Sequence, residues 1–402
     1  MSNKALVILG IVAVGTVTSA IVLSRVSGKP KTAPDEPAYL IQGLDPDDIA
    51  SIVVGTGDEA ATLQRQGRRF VAASKDNYPA ETKEINDLIT KCLDIQTSQF
   101  VTDNPANHEE LEVTEEKARS VVKFFKPDSS LLTGVIVGKY KEAGQGSYIR
   151  QAGTDKVYTA AEVPWIRSRA LDYVDQNIVS AKREDVNSVT VISPDGQYTL
   201  KAEQDGQKAV LENVPEGKKL KESDGNRVLT ALTDLRFTDV QKRSAASADL
   251  SFDRKYICRL DNSTVYTINI AQKPGASAAE GDEGDDKTYI TCQAEFTGER
   301  PTTVSKTDSE EQLKEKEAKL LADDNAKQFT AKHQPWIYEI ADWKAKDLVK
   351  PLTDLLEDKE EEPKETKEDE TKPEESTEEQ PSEEKPKQPA EKAGSDTQET
   401  EP

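Results

Sequence analysis

The chain is poor in the residue types that most often build catalytic and metal sites. Its 402 residues include two histidines, His108 and His333, and three cysteines, Cys92, Cys258 and Cys292. A zinc site with three protein ligands would therefore need carboxylates to complete it. The cysteines are odd in number and lack the spacing of metal ligands. The favoured interpretation of Cys258 and Cys292 is two buried apolar residues, with a bridge between them as the alternative.

Positive charge is also in deficit. The chain has 53 lysines and arginines against 75 acidic residues, which gives a net charge of -22. Residues 357–402 hold 19 acidic and 7 basic residues, and no Ile, Leu, Val, Met or aromatic residue. Such a segment cannot bury apolar surface, so we predict a disordered acidic tail there. Because phosphate binding needs clustered Lys and Arg, the composition disfavours nucleic acid as a partner.

One long uncharged run lies near the N-terminus. Residues 5–23 are 19 residues without a charge, ALVILGIVAVGTVTSAIVL. As a helix they would span about 28 Å, close to the hydrocarbon thickness of a bilayer. A cleaved signal peptide is the alternative, with small residues at 18–20 as the cleavage site, but the apolar run continues past it. We therefore predict a membrane anchor and linker over residues 1–37.

The charges that flank this run do not settle its orientation. Lys4 and the terminal amine face Arg25, Lys29 and Lys31, which leans slightly toward a cytoplasmic body. A leader of only a few residues before the apolar run is, however, what exported signal anchors show.

Residues 38–356 contain a pattern that occurs twice. DDIASIVV (47–54) and EDVNSVTV (184–191) both place an acidic pair before apolar residues at alternate positions. Each copy then predicts three short strands in meander order and an amphipathic helix. The apolar positions of the two helices are Ile85, Leu88, Ile89 and Cys92 in one copy and Val228, Leu229, Leu232 and Leu235 in the other.

Further strands are predicted in the same order in both copies. SVVKFF and GVIVG in the first are matched by KYICRL and VYTINI in the second, and SYIRQ is matched by TYITC. PWIRSRALDY, from Pro164, is matched with PWIYEIADWK, from Pro335. The second copy also has an acidic loop at 272–287 and a charged helical segment at about 309–329. We therefore predict an α+β fold with two tandem repeats of antiparallel meander plus helices, at residues 38–180 and 181–356.

The body resembles the bacterial family known as domain of unknown function 4340. The motifs that carry the resemblance are LDPDDIASIVV, NYPAETKEINDLI, TDNPANHEELEV, VIVGKY, GSYIRQAGTDKVY and VTVISPDGQYTL, within residues 40–345. Where such proteins often have a Trp after the second strand, this chain has Phe70. The resemblance implies a single-pass envelope protein, and some members are associated with gliding-motility-type ABC transporter components. It implies an exported body and no established catalytic residue.

Three polar features of the sequence, HEELE, Ser147 and His333, are candidates for catalytic or metal sites. HEELE, at 108–112, lies on a predicted helix, but a zinc-hydrolase helix needs a second His where Glu112 stands. The favoured interpretation is that HEELE begins a helix, where acidic side chains interact favourably with the positive end of the helix dipole. Ser147 lacks the nucleophile-elbow glycines, and His333 is only a weak candidate for a general base. No catalytic, cofactor or metal residue is assigned.

Five aromatic residues are candidates for a core or a binding site: Tyr78, Trp165, Trp336, Tyr338 and Trp343. Trp165 and Trp336 each follow a proline and are predicted to occupy equivalent places in the two copies. Packing of the closing segment onto each sheet is the favoured interpretation. A ligand or partner site between the copies is the alternative.

These observations favour a non-enzymatic, membrane-anchored envelope protein that binds or assembles other proteins. The expected location is the cytoplasmic membrane with the body on the outer, periplasmic face. The resemblance makes ABC transporter components the candidate partner, and no cofactor is predicted. Two alternatives stay open: an envelope hydrolase with a cleft between the copies, and a small-ligand sensor module.

Overall fold

The computed structural model of the chain describes residues 38–359 except 58–59, 143, 204–207, 246–249, 275–285 and 302–308. The predicted anchor at 5–23, most of the acidic loop at 272–287 and the predicted tail from residue 360 onward lie outside the described residues. Among the residues that are described, no helix is long and apolar enough to cross a bilayer.

The first half of the body contains eleven strands and one α-helix among its described residues. In chain order they are β1 (Ala38–Tyr39), β2 (Ser51–Val54), β3 (Ala61–Gln66), β4 (Arg69–Ala72), β5 (Tyr78–Pro79), α1 (Thr82–Leu93), β6 (Gln96–Thr97), β7 (Gln99–Thr102), β8 (Ser120–Phe125), β9 (Leu131–Tyr140), β10 (Ser147–Gln151) and β11 (Val157–Ala160). Short 3-10 helices occur at Pro46–Asp48, Ala73–Lys75, Pro105–Asn107 and Ala170–Tyr173.

The second half has a similar series and a longer helical part. Its elements are a 3-10 helix (Arg183–Asp185), β12 (Asn177–Val179), β13 (Val186–Ser193), β14 (Gly196–Ala202), β15 (Ala209–Leu211), β16 (Lys218–Leu220), α2 (Glu222–Leu229), β17 (Leu235–Lys242), β18 (Arg254–Leu260), β19 (Thr264–Lys273), β20 (Lys287–Phe296), α3 (Glu310–His333), β21 (Trp336–Ile340), α4 (Asp342–Leu348), α5 (Leu352–Leu355) and β22 (Leu356–Asp358).

Two nine-stranded sheets form the frame of the fold. The first has the order β5-β4-β3-β2-β8-β9-β10-β11-β7, and the second, read in the matching direction, has β15-β14-β13-β18-β19-β20-β21-β17-β12. From β4 and β15 onward, eight strands correspond one to one. Neighbouring strands pair antiparallel, which suits the short turns between most of them. The predicted mixed fold with antiparallel sheets and few helices is confirmed.

Alternating apolar residues explain how the strands bury one face. Ile52 and Val54 of β2 are buried, as are Val189 and Val191 at the matching places of β13. On α1, the four predicted apolar positions all face the core. Each fully buried aliphatic side chain contributes about 1.5–3 kcal/mol. Most buried residues of both halves belong to one continuous core, and a smaller, separate cluster of buried residues lies in the first half.

The described residues up to Asp358 belong to one compact unit. The predicted division of the body between residues 180 and 181 stays a prediction. The predicted start of the tail at residue 357 is wrong by two residues. Glu357 and Asp358 lie in β22, which pairs with β16, because their carboxylates meet Lys219 and Lys218 at 3.3 and 2.6 Å.

The predicted helix of the second copy is too long. α2 ends at Leu229, Leu232 lies in the following turn, and Leu235 begins β17. All three side chains are buried, so apolar spacing alone could not show where the helix ended. The charged segment predicted as helical at 309–329 is α3, whose N-terminus is capped by Ser309 and Gln312.

Candidate functional site

A cleft lies between the first sheet and the segment that follows β11. It is a cavity of about 580 Å³ lined by residues 54–56, 118–121 and 165–169 together with Asp172. A second cavity of about 340 Å³ shares Arg167, Arg169 and Asp172 and extends to Arg236 of β17. The cleft therefore runs from the first sheet toward the second.

The segment between β11 and the 3-10 helix at Ala170–Tyr173 forms one wall. Its side chains alternate, so that Ile166 is buried while Trp165, Arg167 and Arg169 face outward. The Tyr173 hydroxyl donates to the backbone oxygen of Arg167 at 2.5 Å, and burial raises the pKa of Tyr173. A neutral phenol thus holds the wall in place. Trp165 remains 78% exposed.

Arg119 extends from the opposite wall, just before β8. Its guanidinium carbon lies 3.8 Å from the centroid of the Tyr140 ring, and its Nη2 donates to the Ser147 hydroxyl at 3.1 Å. Within the described part of the chain, Arg119 forms no ion pair. Stacking on an aromatic face orients a guanidinium without neutralising it. Arg119 is therefore a positioned cation at the cavity.

The other two arginines of the cleft are neutralised. Arg167 pairs with Glu84 of α1, and Arg169 pairs with Asp172 at 2.9 Å. Asp175, which lines the second cavity, pairs with Lys332 of α3 at 3.3 Å. These carboxylates therefore compensate local cations, and the cleft offers guanidinium groups, a serine and an exposed indole for binding.

The profile of the family described as "Domain of unknown function (DUF4340)" matches residues 71–255. Residues 71–255 are therefore similar to the DUF4340 family. The resemblance inferred from the sequence is thereby confirmed over this stretch. No curated protein matches the chain, and no solved structure matches it.

The DUF4340 stretch runs from β4 into β18. It therefore contains Arg119 and the whole wall from Trp165 to Asp172, so the cleft lies mainly within the family domain. The sequence pattern had not singled out any of the three arginines. The alternation of Trp165 with Arg167 and Arg169, as W-x-R-x-R, could have pointed to these two arginines, whereas no local pattern marks Arg119.

The predicted equivalence of Trp165 and Trp336 is wrong. Ile149 pairs with Tyr158 in the first sheet and Ile290 pairs with Tyr338 in the second, so β21 corresponds to β11. Trp336 begins β21 and is 8% exposed, whereas Trp165 follows β11. The two Pro-Trp pairs are thus a sequence coincidence at different places in the fold.

The core-packing interpretation therefore holds for some of the five aromatic residues and fails for others. Tyr78, Trp336 and Tyr338 are buried, with the ring of Tyr78 4.8 Å from that of Trp336. Trp165 and Trp343 are exposed, so for these two the interpretation is wrong.

His108 is not on a helix, contrary to the prediction. A 3-10 helix ends at Asn107, and Glu112, at a left-handed φ of 55°, closes the turn. The backbone N–H of Val113 donates to the His108 carbonyl at 2.9 Å, so only one turn forms. The His108 Nε2 atom lies 2.9 Å from the Asp155 carbonyl oxygen. The described ranges contain no group of three or more His, Cys, Asp or Glu residues that could hold a metal.

His333 and Ser147 are also separated in the structure. Ser147 is buried at the start of β10 and accepts from Arg119. His333 lies at the end of α3, with its Nδ1 atom 2.7 Å from the Tyr338 hydroxyl. Burial, with a smaller effect of Lys332, lowers the pKa of His333 to about 4. His333 is therefore a neutral, buried residue at neutral pH and does not line the cleft.

Cys258 and Cys292 do not form a disulfide. They lie on β18 and β20, and β19 runs between these strands. Two strand spacings place them about 9–10 Å apart, beyond the range of a disulfide. Burial raises the pKa of Cys258 to about 12, as expected for a small apolar core residue.

Proposed function

We propose that this protein is a non-enzymatic, membrane-anchored accessory protein that binds another protein through the cleft of Trp165 and Arg119. The observation that carries the proposal is a largely exposed indole that lines the same cavity as a positioned arginine, which forms no ion pair with the described residues. Trp and Arg are the residues most often found at the energetic centre of protein interfaces.

The composition of the cleft supports binding more than catalysis. General acid-base chemistry needs a titratable group poised near the reacting atom. The two histidines lie elsewhere, at the Asp155 carbonyl and at Tyr338, and Glu84 and Asp172 are engaged by arginines. A fold by itself does not indicate a function, and the groups in this cleft are suited to contacting a partner.

The location is proposed from the N-terminal run and the family resemblance. Residues 5–23 would span the cytoplasmic membrane once, and the body would lie on the periplasmic face, with the acidic tail as a solvated extension. ABC transporter components are the candidate partner. The body is proposed to be a tandem duplication, which the one-to-one order of eight strands supports.

A small-ligand sensor is the second candidate. The cavity of about 580 Å³ falls within the size range of sites for small molecules. In that case Arg119 would bind an anionic group of the ligand.

Affinity purification in mild detergent tests the partner-binding proposal. The full-length chain, a Trp165→Ala variant and a Trp343→Ala control would be purified from the native host and their partners compared by quantitative mass spectrometry. Trp343 is also exposed but lies on α4, away from the cleft. We expect transporter subunits with the wild type and the control, and at least a tenfold loss with Trp165→Ala. Equal recovery in all three samples would contradict the role of the cleft.

Protease treatment of intact spheroplasts tests the orientation. If the body is periplasmic, the acidic tail is digested without lysis. A tail that is cut only after lysis would place the body in the cytoplasm.

A further inference from the structure

The outer strand of the first sheet carries exposed apolar side chains. Tyr39 of β1 is 51% exposed, and Phe100 and Val101 of β7 are 48% and 38% exposed. The Phe100 ring packs edge-on against Tyr158 at 5.8 Å, and Tyr39 and Tyr158 line one cavity of about 820 Å³. We call Tyr39, Phe100, Val101 and Tyr158 the β7 patch.

A bulge explains why neighbouring residues of β7 are both exposed. Val157 pairs with Thr102 and Tyr158 pairs with Phe100, so Val101 is an extra residue in β7. A bulge interrupts the alternation of side chains and twists the edge away from strand pairing. The β7 patch is therefore suited to contact through side chains and not to the addition of a further strand.

The corresponding surface in the second sheet is covered from within the chain. Lys75 pairs with Asp239 of β17 at 2.7 Å, and the Asp76 carboxylate accepts from the Lys242 backbone N–H at 2.7 Å. The Tyr78 ring closes this contact against Phe237, Trp336 and Tyr338. The first sheet presents the same kind of surface with its aromatic residues exposed.

A second copy of the chain offers no matching cover. Tyr78 stands four residues before α1, and Lys218 stands four residues before α2. Lys218 lies in β16, which already pairs with β22. Among the described residues, the position of the second half that is equivalent to Tyr78 is therefore a lysine, and its strand is already paired.

The N-terminal chain enters the body beside this patch. β1 begins at Ala38, next to Tyr39, and residues 24–37 separate it from the apolar run at 5–23. Fourteen residues could span at most about 50 Å even if fully extended. An inserted N-terminal run would therefore hold the patch near the bilayer surface.

Charge points to the same surface. The chain has a net charge of -22, of which residues 357–402 carry -12, so the rest of the chain is also acidic and is repelled on average by anionic lipid headgroups. All four residues of β7, Gln-Phe-Val-Thr, are neutral, and the charged residues of the adjoining cavity are Asp103, Asp155 and Lys156. Tyr side chains are favoured at the level of the headgroups, where the ring is half buried and the hydroxyl stays hydrated, and Phe100 adds apolar area that can be buried against lipid.

We propose that the β7 patch rests on the lipid surface in which the N-terminal run is inserted. The inference depends on the proposed membrane anchor and adds to it a defined face of the body. Contact at this face orients the body on the bilayer.

Fluorescence quenching by lipid tests the inference. The full-length Phe100→Cys variant would be labelled with an environment-sensitive fluorophore and reconstituted into phosphatidylcholine vesicles with and without headgroup-level spin-labelled phosphatidylcholine. The three native cysteines are buried, so the new thiol is the reactive one. Val210→Cys, at an exposed apolar position on β15, is the matched control. We expect at least threefold stronger quenching at residue 100 than at residue 210.

Alkaline extraction of the same vesicles separates the two proposals. Retained protein with equal quenching at both positions would overturn the patch contact and leave the anchor intact. Protein released by carbonate would overturn the anchor, and the patch contact with it. If Phe100→Cys does not fold, Tyr39→Cys serves in its place with the same expected quenching.

Discussion

The two sheets share the order of eight strands, but they differ in which elements pack against the last of these strands, β7 in the first sheet and β17 in the second. In the second sheet, β17 is covered by the turn at Lys75 and Asp76 and by the Tyr78 ring. In the first sheet, β7 carries a bulge and exposed aromatic residues. Two strands at equivalent places in the sheets can therefore differ in burial. The side chains of a strand at the edge of a sheet are buried only where another element of the chain packs against them.

A second difference lies in how close the loops approach the sheets. In the first half, the Leu111 carbonyl accepts from the Lys139 N–H at 3.2 Å, so the turn that contains His108 lies on β9. Gly138 makes this approach possible, since a Cβ there would lie 2.3 Å from that carbonyl oxygen. Strand pairing places Ala271 of β19 at the equivalent position, where a methyl group is accommodated.

The largest expected effect is a difference in stability loss between alanine variants of two equivalent tyrosines, Tyr338 and Tyr158. Tyr338→Ala removes a fully buried ring and its hydrogen bond to His333, so we expect a loss of about 4 kcal/mol in the free energy of unfolding. Tyr158→Ala, at the half-buried counterpart, should reduce it by about 1 kcal/mol. Urea unfolding followed by circular dichroism measures both. Equal losses would show that the two surfaces are covered alike.

The next effect concerns the close approach at β9. Gly138→Ala forces the methyl group against the Leu111 carbonyl, and overpacking of this kind costs about 3 kcal/mol. The reverse change at the equivalent position, Ala271→Gly, should cost about 1 kcal/mol through backbone entropy. Thermal unfolding of the two variants, compared with the wild type, checks the ratio. A Gly138→Ala variant as stable as Ala271→Gly would contradict the tight contact.

A smaller effect distinguishes the two histidines by pH. The folded-state pKa of His333 is about 4, below the unfolded value of about 6.5. Between these values the unfolded chain binds a proton that the folded chain does not. The stabilising contribution of neutral His333 is therefore present above pH 6.5 and is lost as the pH falls toward 4.

From pH 7 to pH 5 this linkage should reduce the free energy of unfolding by about 2 kcal/mol. His333→Gln should remove that part of the pH dependence, and His108→Gln should retain it. Urea titrations at both pH values provide the measurement. An unchanged slope in His333→Gln would mean that carboxylates alone account for the loss.

Strands with clear alternation were predictable, because side-chain direction in a strand depends on neighbours one and two residues away. Ile52 and Val54, like Val189 and Val191, take their predicted places. α1 was also predictable, since its four apolar positions recur at helical spacing. Leu235 was assigned to the wrong element because a buried strand start also satisfies that spacing.

The candidate cleft was not predictable in the same way. Arg119, Trp165 and Arg167 come from separate elements, and no local pattern indicates that they share a cavity. The Pro-Trp pairs misled for a related reason. A short motif reflects only the local sequence, whereas two positions are equivalent in two sheets only if their strands have equivalent pairing partners.

Composition and periodicity alone decided that the body is a mixed fold with antiparallel sheets, because they act through the local backbone and the side chains next in sequence. Tertiary packing decided that Trp336 is enclosed while Trp165 is exposed, that Phe237 of β17 is buried while Phe100 of β7 is half exposed, and that Arg119 and Trp165 line the same cavity. These outcomes depend on contacts between residues far apart in the chain, and burial is a property of the space around a side chain and not of the side chain itself.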